Sequence, residues 1–179
     1  MRRRALLGAV GTSVTAGCLG DVLHLSRGES RFSIENDPVP ADFPATLSAR
    51  LLSDETAAHP PRIRIDFEYT GDEPRTVRFN YPGPFADTLA AGPDGSKLVL
   101  EYEAETSSRH DGCWWATPST GRGAAEHRRF SSGDEAHVEW EVLTHEESDT
   151  CYPSGRYHFV DRYYVDGGTY EWGFQLRIR

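Results

Sequence analysis

The run Ala136-His137-Val138-Glu139-Trp140-Glu141-Val142 decides the fold. Apolar and polar side chains alternate across it without a break, and a period of two puts every apolar group on one face of an extended strand. A helix gathers residues three and four apart, so it would scatter these side chains around its whole circumference. The same alternation recurs on both sides of this run. Ala45, Leu47, Ala49 and Leu51 alternate with Thr46, Ser48 and Arg50, and Ile63, Ile65, Phe67 and Tyr69 alternate with Arg64, Asp66 and Glu68. Val77 and Phe79 flank Arg78, Leu98, Leu100 and Tyr102 flank Val99 and Glu101, and Tyr157 and Phe159 flank His158. Tyr170, Trp172, Phe174, Leu176 and Ile178 close the pattern on one face.

The breaks carry turn chemistry. Thr70-Gly71-Asp72-Glu73-Pro74, Gly92-Pro93-Asp94-Gly95, Ser131-Ser132-Gly133-Asp134 and Asp166-Gly167-Gly168 each separate two alternating runs. Short strands divided by such turns predict an all-β fold, an antiparallel sandwich of seven to nine strands in one domain over residues 43–179. No stretch sustains a helical period, and Gly121 to Arg129 is assigned at most a turn or two of helix.

Of the 179 residues, 20 are aromatic, which supplies a core and argues against disorder, while 28 acids against 19 bases leave a net charge of -9. An acidic chain lacks the basic excess that a phosphate backbone demands, so no nucleic-acid partner is expected. Lys97 is the single lysine and the other basic residues are arginines. Carboxylate excess with almost no lysine resembles the proteins of extreme halophiles, haloarchaea above all; a bias from genomic base composition is the alternative.

The amino terminus reads as an address. Met1-Arg2-Arg3-Arg4 precedes the 13 uncharged residues from Ala5 to Gly17, and Cys18 follows. As a helix this run spans about 20 Å, short of the roughly 30 Å hydrocarbon core, so an export signal is expected in place of a membrane span. Arg3-Arg4-Ala5-Leu6-Leu7 resembles the twin-arginine signal, and Thr15-Ala16-Gly17-Cys18 resembles a lipobox, with Thr15 where an apolar residue is usual. The resemblance implies cleavage after residue 17, a lipid on Cys18, and export of already folded cargo to the outer face of the cytoplasmic membrane. Residues 1–17 hold three arginines and no acid, so the mature chain is three charges more negative. Residues 18–42 are expected to form a short polar tether ending in Asp37-Pro38-Val39-Pro40. A lipid with two long chains holds a protein stably without basic help.

With Cys18 committed to a lipid, Cys113 and Cys151 form an even pair, which in an exported chain predicts a disulfide. Free thiols or a metal pair are the alternatives, and zinc would need more ligands than the two cysteines offer. A loop of 38 residues corresponds to about 4 kcal/mol of loop entropy.

The lead-in of prolines, the Thr-Gly-Asp and Ser-Gly-Asp turns and the closing aromatic strand resemble immunoglobulin-like domains of archaeal surface lipoproteins. Several such families have no assigned function. The spacing of Cys, distant Trp and Cys that marks an immunoglobulin core is not met, because Trp114 and Trp115 directly follow Cys113. The bridge is therefore expected to clip a loop or an edge strand.

Candidate chemistry is thin. His137, Glu139 and Glu141 share the polar face of one strand and could begin a metal site, although coincidence is common in a chain this rich in acids. His145-Glu146-Glu147-Ser148-Asp149 lacks the second histidine of a zinc-protease helix, and no Gly-x-Ser-x-Gly occurs. His110 with Asp111, or His158 with Asp161, could be drawn as parts of a triad. Trp114 and Trp115 stand out: one of two neighbours on a strand can face outward and stack on a sugar or a partner's side chain, or both can pack beside the bridge. Tyr163 and Tyr164 pose the same question. The expectation is a non-enzymatic surface module binding a protein or glycan, with no cofactor or metal. The alternative is an envelope enzyme or metal carrier using the histidines.

Overall fold

The computed structural model describes residues 30–86, 88–102, 108–116 and 124–179. Arg3, Arg4 and Cys18 lie outside them. The described residues form twelve strands and no helix. In chain order these are β1 (Phe32–Asn36), β2 (Ala45–Ser53), β3 (Arg62–Tyr69), β4 (Arg75–Asn80), β5 (Leu89–Ala91) and β6 (Lys97–Glu101). They continue with β7 (Ser108–His110), β8 (Cys113–Ala116), β9 (Ala125–Phe130), β10 (Glu135–His145), β11 (Gly155–Val165) and β12 (Gly168–Ile178).

Two sheets result, β1-β12-β11-β4-β9 and β2-β3-β10-β6-β5, with β7 and β8 attached to β10. All pairings are antiparallel except that of β8 beside β10. The seven strands read from alternation are β2, β3, β4, β6, β10, β11 and β12. They occupy the orders β2-β3-β10-β6 and β12-β11-β4, the arrangement of an immunoglobulin-type Greek key. The start of β11 carries a further mark of such sandwiches: the Tyr157 hydroxyl donates to the Pro153 carbonyl at 2.8 Å, pinning the corner between the sheets.

The alternation drives this packing. Ile63, Ile65, Phe67 and Tyr69 of one sheet are buried with Val77, Phe79, Tyr163, Trp172 and Phe174 of the other. Phe67 and Phe130 meet across the sandwich with ring centroids 4.9 Å apart, and Phe43 lies 5.4 Å from Tyr163. At one margin Asn36 ties the sheets together, its amide oxygen accepting from the Ala49 N–H at 2.7 Å and its amide donating to the Ala49 carbonyl.

The strand count exceeds the expected seven to nine. Two of the differences move boundaries. β1 lies inside the stretch 18–42 read as tether, and it pairs with β12 from Phe32↔Ile178 to Asn36↔Phe174, so the sandwich begins before residue 43. β9 occupies the segment assigned a possible helical turn; it is an edge strand on β4, and its mostly polar composition hides the period. The turn at Asp166-Gly167 is a two-residue hairpin with φ of 50° and 83°, a left-handed pair that Asp and Gly tolerate.

Candidate functional site

The expected contact residues lie on a flap made by the hairpin β7–β8. β8 sets Trp115 beside Thr144 and Ala116 beside His145, extending the sheet beyond the start of β3 on one edge of β10, while β6 occupies the other edge. Cys113 and Cys151 are joined in a disulfide, Cα atoms 5.6 Å apart, so β8 is clipped to the loop between β10 and β11. The bridge therefore clips a loop, one of the two placements expected from the sequence, and does not cross between the sheets; β8 itself lies between β7 and β10 and is not an edge. Cys113 is 1% exposed, and its Sγ sits 3.5 Å from the Thr144 hydroxyl, which also accepts the Tyr152 N–H at 3.0 Å.

Trp114 and Trp115 are each half-buried. Trp114 packs on a satellite cluster of Val99, Ala116 and Leu143, and its indole N–H donates to the Thr56 carbonyl at 3.2 Å. This cluster explains why β6 is buried on both faces where alternation predicts a wet one. Trp115 stacks on His110, centroids 5.4 Å and planes 9° apart, and its N–H donates to the His110 carbonyl at 3.3 Å. The Arg109 guanidinium stands 6.0 Å from the Trp114 ring. Both indoles have satisfied their one donor, so the flap offers partly open aromatic faces beside a cation. Stacking and charge-assisted contact are what such a surface can do.

The other candidates disperse. On the outer face of β10, Glu139 is held by Arg62 at 2.6 Å, while burial pushes the carboxyl of Glu141 above the usual range against the pull of Arg62 and His59. These two line a shallow groove of about 320 Å³ with Arg62, Glu101, Tyr102 and His137. Among the described residues no three His, Cys, Asp or Glu side chains converge as a metal set. His158 and Asp161 sit on opposite faces of β11, so they cannot form the pair drawn on paper. His158 instead meets Asp37 at 2.7 Å, and Asp161 accepts the Ala86 N–H at 2.7 Å. His110 and Asp111 approach only to 3.7 Å on the surface of the flap. His145 ends β10 at a turn, its Nδ1 accepting the Glu147 N–H and its carbonyl the Ser148 N–H, and the rings of His59, His145 and His158 bond no serine hydroxyl. Tyr163 is buried and Tyr164 faces out under Arg78, which resolves that pair.

Sequence reasoning missed one aromatic pair. Tyr81, 54% exposed, stands with its ring 6.3 Å from Tyr102, which lines the groove. A tyrosine inside Asn80-Tyr81-Pro82-Gly83-Pro84, where no strand can continue, was the available signal. Comparison with family models, curated proteins and solved structures returns no match to this chain.

Proposed function

We propose that this chain is a twin-arginine-exported lipoprotein of a halophile, held at the outer face of the cytoplasmic membrane by a lipid on Cys18. Its sandwich serves as a non-enzymatic binding or envelope-accessory module for a protein or glycan, with Trp114 and Trp115 as contact residues. One observation carries the reading: Cys113 and Cys151 are spent on each other, which leaves Cys18 the remaining cysteine, directly after Thr15-Ala16-Gly17. A disulfide that clips the contact flap also suits an oxidising compartment outside the cell.

The test pairs two variants. Cys18→Ser is expected to release the protein from sedimented envelopes and to remove the mass of added hydrocarbon; unchanged sedimentation, or a wild-type mass with no lipid, rejects the anchor. Trp115→Ala is expected to abolish capture of a crosslinked partner from intact cells while the melting temperature stays within a few degrees. Loss of both together assigns Trp115 to the fold and removes it from the contact surface.

A further inference from the structure

The two outer faces of the sandwich carry opposite charge. On the outer face of β2, β3 and β10, Arg50, Arg62 and Arg64 stand among Asp66, Glu68, Glu135, Glu139 and Glu141. Those arginines are consumed: Arg50 and Arg64 both bind Asp66, and Arg62 binds Glu139. The outer face of β1, β12, β11, β4 and β9 presents Arg78, Arg129, Arg156, Arg162 and Arg177 with His127 and His158, against Glu35, Asp37 and Glu171. Of these five arginines, only Arg162 has a carboxylate partner among the described residues.

In a chain with 28 acids, this is an unforced concentration of spare guanidinium groups. Register sharpens it. Arg156 and Arg177 are directly opposite each other on β11 and β12, with Ser33 completing the row on β1. Like charges facing across a ladder destabilise it, and nothing in the fold needs them there. A second basic row runs Tyr164–Arg78–His127 across β11, β4 and β9, with the guanidinium of Arg78 5.0 Å from the Tyr164 ring. Eight steps along β11, from Arg156 to Tyr164, separate the two rows, about 26 Å at strand rise. The result is a set of basic side chains spread across the whole width of one sheet, which suits a surface.

The chain enters the sandwich at the edge of this sheet, where Ser30 bonds Asp54 and Arg31 pairs with Glu55. β1 is the outermost strand of this sheet, and Ser30, the first described residue, lies at the end that bears Arg156 and Arg177. Twelve steps of chain link Cys18 to Ser30, which holds that end within about 40 Å of Cys18 even at full extension.

We propose that the outer face of the β1-β12-β11-β4-β9 sheet lies on the membrane and binds the anionic phosphates of lipid headgroups through Arg156, Arg177, Arg78 and Arg129. This rests on the anchor reading above for its geometry, but not for its chemistry. Guanidinium groups take phosphate oxygens in contact pairs at about 3 Å, which outlast the screening that removes long-range attraction. The acidic face and the aromatic flap would then point toward the exterior and toward partners.

The test uses the full chain carrying Cys18→Ser, so that the face and not the lipid is measured, in flotation with vesicles. Binding to pure phosphatidylglycerol vesicles is expected, with none to phosphatidylcholine, and it should weaken as salt rises. Arg156→Gln with Arg177→Gln should reduce binding at least tenfold without lowering the melting temperature, while Arg50→Gln on the opposite face should leave it unchanged. Equal binding to both lipids, no binding, or an unaffected double variant overturns the proposal. So does concentration-dependent self-association in the absence of vesicles that the double variant abolishes, because the face would then fit the acidic side of a second copy. Failure of the anchor shows separately, as a wild-type chain without added hydrocarbon that still floats with anionic vesicles.

Discussion

Single side chains in this protein are read most clearly where two of them share a problem. Asp66 and Glu141 lie on the same outer sheet face and shift in opposite directions. Burial pushes Asp66 up, but hydrogen bonds from Arg64 and Arg50 outweigh it and leave the carboxyl below the usual range. A carboxyl lowered in the fold lends stability above its unfolded value near pH 4 and loses it as pH falls through the folded value. Glu141 is raised, so it favours the fold only while protonated, and that contribution disappears as pH rises through its folded value. Glu141→Gln should therefore raise the melting temperature at neutral pH, with the gain vanishing below about pH 4, while Asp66→Asn should lower it at neutral pH. Thermal melts across pH check both signs, and equal effects at all pH values would refute the assignment. Gly173 poses a steric problem instead. A Cβ there would lie 2.1 Å from the Phe159 carbonyl oxygen and 3.1 Å from the Asp37 carboxylate, while Asp37 donates its N–H to the Gly173 carbonyl. Gly173→Ala should cost about 2 kcal/mol or more in urea unfolding. Neither effect is legible in sequence, where Gly173 is one more small residue in an aromatic run. The facing of His158 away from Asp161 was legible, because positions three apart on a strand always point to opposite sides.

Elements were legible in proportion to how one-sided their surroundings are. Six of the seven strands read from alternation have a buried and a wet face and declared themselves by period; β6 showed the same period although both its faces are covered. β9 did not, because Ala125-Glu126-His127-Arg128-Arg129-Phe130 buries only its last residue fully and presents the rest at an edge. β7 and β8 are too short to show a period, and their position depends on the bridge between Cys113 and Cys151. β1 carries the alternation Phe32-Ser33-Ile34-Glu35, but its polar neighbours made the whole segment look like a tether. The flap supplies a prediction at this scale. Replacing both Cys113 and Cys151 by alanine should lower the unfolding free energy by up to about 4 kcal/mol. Hydrogen exchange should rise first in β8, whose pairing to β10 covers only two residue pairs, and least in β10 and β3. Uniform acceleration would show that the bridge supports the whole sandwich and not the flap alone.

For the whole molecule, the sequence conveyed the class of fold and that the cysteine bridge clips a loop, since both depend on local pattern. It did not convey the sidedness of the charge, because net charge sums over faces that only the sheet order separates. A corresponding prediction concerns the stability of the fold and not its binding. Reversing Arg156 alone should stabilise the fold slightly, by a few tenths of a kcal/mol, since it relieves the opposition to Arg177. A measurable loss of stability would mean that the row has a structural use. The pairing of β1 with β12 has a consequence in time as well as in space. Residues 32–36 leave the ribosome among the first of the domain, yet their ladder partners, 174–178, are made more than a hundred residues later. The outermost strand must wait unzipped until residues 174–178 have been made, so the domain is completed only after its last strand has left the ribosome. A secretory route that threads an unfolded chain would meet no finished object, whereas one that accepts only completed cargo would have to hold this protein back until its closing strand had docked.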